Sequence, residues 1–102
     1  MAFNIALKVN DLDNVATVFA EGVSKGQEVE VRDKKGQSWI ITVLEDIPYG
    51  HKIALTEIPP NQDIIKYGEA IGMATRQIGK GEYVHVHNLD SKRGRGDWKE
   101  NN

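Results

Sequence analysis

The sequence contains no cysteine, which excludes disulfides and thiolate metal sites and leaves the redox compartment open. No apolar run approaches the ~20 residues of a membrane span. The start, "MAFNIALKVN", lacks the basic region and long apolar core of a secretory signal. These absences predict a cytoplasmic chain with no membrane contact. An excess of positive charge is missing too. The formal net charge is −2, so no nucleic-acid partner is expected. The chain has no Gly-x-Gly-x-x-Gly, P-loop, Gly-x-Ser-x-Gly or His-Glu-x-x-His pattern. Its acidic residues show no spacing that singles out a general acid–base pair. No linker, internal repeat or low-complexity segment is visible before the last dozen residues.

The 102 residues fit one small domain, and ten glycines favour strands joined by tight turns. Phe3 to Val9 alternates apolar and polar side chains as a strand does. After it, Asp11 or Asp13 can cap a helix, Val15, Val18 and Phe19 share one helical face, and Gly22 is a natural stop. The spacing therefore predicts one short helix near the N-terminus. "QEVEVRDKKGQSWIITVLED" reads as a hairpin turning at Gly36. Its return strand, Trp39 to Leu44, is apolar on both faces except Thr42 and is expected to be central. Beyond Asp46, short strands are broken by glycine and proline. Pro59-Pro60 excludes a helix or central strand there, and "KYGEAIG" is a tight turn between two strands. This reading gives a domain over 1–90 and a mobile basic tail over 91–102, with Lys92, Arg93, Arg95 and an unexpected Trp98.

The stretch "YVHVHNLDSKRGRG" holds two of the three histidines. On a strand, Tyr83, His85 and His87 would share one face while Val84 and Val86 faced a core. Two neutral imidazoles so placed could ligate a divalent metal, but a third ligand is needed; His51, Glu82, Glu69 or a partner chain could supply it. Solvent-facing decoration, and contact with a substrate or partner, are the other readings. Lys52 beside His51 suits a carboxylate as a point charge, or is simply a solvated strand residue; on a regular strand the two point oppositely and cannot both face one site.

The ordered pieces "GHKIAL" (50–55), "IIKYGEAIGMAT" (64–75), "KGEYVHVHN" (80–88) and "RGRG" (93–96) resemble the SAF domain of the altronate and galactarate dehydratase family. The resemblance implies a mainly β fold, the β-clip. It implies the small subunit of a sugar-acid dehydratase, an altronate dehydratase-like hydro-lyase that is active only with a separate large subunit. It further implies a sugar-acid substrate and divalent iron or manganese held mainly by the large subunit. His85, His87 and His51 become candidate catalytic residues, with His85 and His87 also candidate metal ligands. Lys52 and Asn88 become candidate substrate contacts. A sulfolactate sulfo-lyase small subunit and a non-catalytic SAF module that binds carbohydrate or protein are the alternatives, and a homo-oligomer is compatible with either.

Overall fold

A computed structural model describes residues 4–91, and within them the chain is all strand and turn. The strands are β1 (Asn4–Leu7), β2 (Val15–Val18), β3 (Glu28–Arg32), β4 (Ser38–Thr42), β5 (Lys52–Ala54), β6 (Asp63–Lys66), β7 (Glu69–Ala74), β8 (Tyr83–Val84) and β9 (Leu89–Ser91). One sheet runs β4-β3-β1-β2-β5-β8 and the other β6-β7-β9. Pairing is antiparallel except for β1 with β3.

The architecture rests on one local device used four times. It reads apolar-x-x-Gly/Asn-x-x-apolar: "VSKGQEV" (23–29), "IPYGHKI" (47–53), "IPPNQDI" (58–64) and "IGKGEYV" (78–84). The fourth residue is left-handed each time, with φ of 91° at Gly26, 80° at Gly50, 70° at Asn61 and 93° at Gly81. Glycine and asparagine tolerate that region best. Each turn then docks on one buried strand-end residue through a reciprocal pair of main-chain bonds. Gly26 N–H donates to Val43 O and Val43 N–H to Gln27 O; Gly50 and His51 do the same with Val18, Asn61 and Gln62 with Ala74, and Gly81 and Glu82 with Ala54. The eight apolar anchors are at most 2% exposed. Burying each contributes about 1.5–3 kcal/mol before entropy is counted. The turns pair as Val23↔Ile47 and Ile58↔Ile78. The first two supply one core, with Val29, Val31, Ile41 and Ile53; the other two supply a second, with Val15, Ile64 and Val84. An internal repeat is therefore present where sequence inspection finds none, because only three positions in seven are shared.

The segment predicted as a helix is a turn followed by β2. Val-Ala-Thr-Val is buried at every position between β1 and β5, and a strand enclosed on both faces carries no alternation to distinguish it from a helix. Asp13 does cap backbone groups, as its residue type suggests, but those of a turn and a hairpin. Its Oδ2 accepts Asn10 N–H (3.0 Å) and its Oδ1 accepts Gly68 N–H (2.8 Å). Buried Asn14 joins the two sheets: Nδ2 donates to Asp63 O (2.9 Å) and Oδ1 accepts Ile65 N–H (2.7 Å).

The β3-β4 hairpin forms as expected, with Gly36 at φ 87°, but β4 lies at a sheet edge and not at its centre. Its apolar outer residue Ile40 stays 40% exposed. The "KYGEAIG" turn is also as expected: Tyr67 and Gly68 both have positive φ, as a two-residue hairpin of the primed type requires. Ser91, assigned to the tail above, is part of β9; Lys92, Arg93, Arg95 and Trp98 lie outside the described residues. Among the described residues no helix is long and apolar enough to cross a membrane.

Candidate functional site

The histidine segment does not continue as a strand. β8 ends at Val84, and residues 85–88 curl into a turn closed by Asn88. Asn88 N–H donates to His85 O (3.0 Å), Oδ1 accepts His85 N–H (3.0 Å) and Nδ2 donates to Tyr83 O (2.9 Å). Its own carbonyl accepts Thr75 N–H (3.0 Å), which ties the loop to the end of β7. Asn88 is fully buried, and both ends of its amide are engaged by the backbone of the loop. Val84 faces a core as predicted. Val86 does not: it stands at the loop apex, 76% exposed.

The curl folds the histidine rings back onto Tyr83. The His85 ring stacks on Tyr83 with centroids 5.6 Å apart and planes 8° off parallel. His87 lies 5.2 Å from Tyr83 and tilted, and His51 is 4.8 Å from His85. Tyr83 Oη and His51 Nδ1 are 2.7 Å apart, a hydrogen bond. All three histidines therefore meet at one tyrosine, although 32 residues separate His51 from Tyr83. The turn repeat explains this meeting: β5 follows the second turn, β8 follows the fourth, and the two strands pair through Ile53↔Tyr83 and Lys52↔Val84. Tyr83 is absent from the candidates drawn from sequence. Its place in the same alternation as His85 and His87 was the signal available.

Lys52 does not join the ring cluster. Its cross-strand partners Thr17 and Val84 place it on the face of β5 opposite Tyr83. Burial lowers the Lys52 pKa, and the charge of Lys66 adds to the effect. The His85 pKa is also lowered, first by burial and then by His51, Lys52 and His87. Both causes favour the neutral imidazole, the form able to act as a base or ligand.

The residues present do not by themselves fit a metal centre. Among the described residues no three His, Cys, Asp or Glu side chains converge to hold an ion. The third ligands considered from sequence are placed elsewhere: Glu82 Oε2 accepts Gly79 N–H (2.7 Å), and Glu69 is exposed on β7 of the other sheet. The ring cluster is open to solvent at exposed His87 and Val86. A groove of about 290 Å³ lies along Ile40, Ile41, Thr42, Leu44 and Lys80, and none of the histidines lines it.

Comparison with known proteins places this geometry in context. The sequence pattern of the altronate/galactarate dehydratase SAF domain matches residues 4–92. The chain is 40% identical over 82 residues to altronate dehydratase of Escherichia coli (strain K12), covering 80% of this chain and 15% of that protein. It is 41% identical over 78 residues to galactarate dehydratase (L-threo-forming) of the same organism, covering 76% and 14%. It thus spans about one seventh of the length of these dehydratases. By contrast, (2R)-sulfolactate sulfo-lyase subunit alpha of Chromohalobacter salexigens is 38% identical over 93 residues, covering 88% of this chain and 98% of that subunit.

Proposed function

Since the chain belongs to the altronate/galactarate dehydratase SAF-domain family, we propose that it is the small subunit of a sugar-acid dehydratase, a cytoplasmic altronate dehydratase-like hydro-lyase whose active site is completed by a separate large subunit. The observation that carries this reading is the cluster itself. Three imidazoles gathered on one tyrosine, on a braced loop, form a preorganised group of proton carriers and hydrogen-bonding groups that the domain leaves open to solvent. A second protein surface closing over them would exclude water and strengthen every electrostatic interaction inside.

In this reading a proton leaves the carbon beside the substrate carboxylate and the β-hydroxyl departs as water. His85, whose surroundings lower its pKa and so favour the neutral ring, is suited to accept or relay a proton, with His87 and His51 beside it. Asn88 acts from below by fixing the loop, and Lys52, on the opposite face of β5, contributes only through its positive charge, which reaches His85. A divalent ion, iron or manganese, would stabilise the charge that builds on the carboxylate side. The large subunit would hold that ion, because this chain offers no complete ligand set among its described residues.

A second reading, a small subunit of a sulfolactate sulfo-lyase, is favoured by coverage. The alpha subunit of that enzyme matches end to end, whereas the dehydratases match over a small part of their length. The two readings share the carboxylate and differ in the group expelled.

The test is reconstitution of the full chain with a separately encoded large chain, assayed for dehydration of D-altronate and for sulfite release from sulfolactate, with iron or manganese supplied. Turnover that needs both chains, and that is lost in His85→Ala or His87→Ala while the complex persists, supports the proposal. Sulfite release without dehydration selects the second reading. A stable, active complex indifferent to both substitutions removes the histidines from the chemistry.

A further inference from the structure

In the repeated turns the fifth residue has a recurring duty. Gln27 Oε1 accepts Ser24 N–H (3.0 Å) and Glu82 Oε2 accepts Gly79 N–H (2.7 Å), each reaching three residues back. In the other two turns the residue three back is Pro48 or Pro59, which has no N–H to be capped. The side chains of His51 and Gln62 are therefore released from a task their counterparts perform. The main chain of His51 stays as firmly held as in the other turns: its N–H donates to Pro48 O (3.1 Å) and its carbonyl accepts Val18 N–H (2.8 Å).

Tyr83 is held through both its backbone groups and through its ring. Its N–H donates to Glu45 Oε1 (3.0 Å), its carbonyl accepts from Asn88 Nδ2 (2.9 Å), and His85 stacks on its ring. Two fixed residues thus meet at one 2.7 Å hydrogen bond between Tyr83 Oη and His51 Nδ1. A phenol is a stronger acid than a neutral imidazole N–H, and an imidazole lone pair is a better acceptor than a phenolic oxygen. These strengths favour Tyr83 as the donor in this contact.

We propose that Tyr83 is the positioning residue of this site: by donating to Nδ1 it fixes His51 as the Nε2–H tautomer, which makes His51 a hydrogen-bond donor to an acceptor oxygen of the ligand. The class selected is a carboxylate or hydroxyl oxygen, both of which the hydroxy-acid substrates of the proposed lyase carry. The ligand's identity rests on that lyase reading; the tautomer does not. The same arrangement sets His51 apart from a metal ligand at Nε2, because coordination there needs the lone pair where the proton sits.

The test reads the tautomer directly in the full isolated chain, labelled with nitrogen-15, through long-range proton–nitrogen correlations of the imidazoles above the pH of histidine ionisation. The expected result is His51 protonated at Nε2 with Nδ1 bare, and a shift toward a tautomer mixture in Tyr83→Phe while the backbone spectrum stays folded. A purely structural tyrosine would leave the ring tautomer unmoved. In the reconstituted enzyme, Tyr83→Phe is expected to lower kcat/KM about tenfold, the size of one well-placed hydrogen bond. Wild-type His51 protonated at Nδ1, an unchanged tautomer in Tyr83→Phe, or line broadening centred on His51 when manganese(II) is added would each overturn the assignment. Failure of the lyase reading would show separately, as absent turnover with the tautomer intact.

Discussion

Replacing Asn88 by alanine separates a loop brace from a substrate contact. The side chain satisfies the Tyr83 carbonyl and the His85 N–H from a fully buried position. Asn88→Ala leaves both backbone groups without their partner, and an unsatisfied buried polar group costs about 1–3 kcal/mol. Water can reach part of this loop, since His85 is only partly buried, so the sum is about 3 kcal/mol and not the upper limit. For a domain of this size, about 3 kcal/mol lowers Tm by about 12–24 °C. Thermal unfolding followed by circular dichroism gives the value directly. Asn88→Asp should be at least as damaging, because it keeps an acceptor for His85 N–H but turns a second carboxylate oxygen toward the Tyr83 carbonyl. If Asn88 served the substrate alone, Asn88→Ala would leave Tm within about 2 °C of the wild type, well inside the shift expected from a lost brace, and would raise only KM. That result would refute the reasoning.

Gly81→Ala should largely abolish folding, because a Cβ there falls on the carbonyl oxygen of Thr42 in addition to the positive-φ strain. Gly26→Ala, with the same φ sign and open space around it, should cost only about 1–2 kcal/mol, and denaturant midpoints of the two variants give the comparison. Asn14→Ala removes two bonds from the residue before β2 to β6 and is expected to cost about 2 kcal/mol, with early loss of hydrogen-exchange protection at Ile65. The lowered pKa of His85 means that the unfolded chain binds its proton first as pH falls. The resulting stability is fully present above the ordinary value near 6.5 and is lost as pH falls through the depressed one; His85→Asn should flatten that part of a pH–Tm profile.

The hairpin at 28–42, the turn at Tyr67-Gly68 and the apolar role of Val84 were legible because each has an unambiguous local signal: alternation, a turn residue, or both. The N-terminal helix was misread for a physical reason. Four consecutive small or β-branched buried residues satisfy a helical spacing and a strand equally, and only the neighbours β1 and β5 decide between them. The central placing of β4 failed because apolar residues on both faces indicate burial only on average; Ile40 remains at the surface. That His85 and His87 lie close together was readable, but the arrangement of the three histidines was not. Asn88 converts an expected strand into a curl through side-chain bonds to its own loop, a tertiary outcome with no periodicity to announce it. The separation of Lys52 from His51 was legible, because ordinary strand alternation turns neighbouring side chains to opposite faces and continues through Lys52.

The proline that releases His51 has a counterpart at Pro59, and Gln62 there is exposed and bound to the fold only through its backbone. Geometrically, Gln62 occupies the same address as His51 in another copy of the turn. The scaffold therefore contains a duplicate of the position that the proposal assigns to His51. Exchanging the side chain at 62 alters none of the three main-chain bonds that seat the turn, since those bonds belong to residues 59, 61, 62 and 74 through their backbones alone. New chemistry can be written into this small β domain at one position without disturbing the turn that holds it.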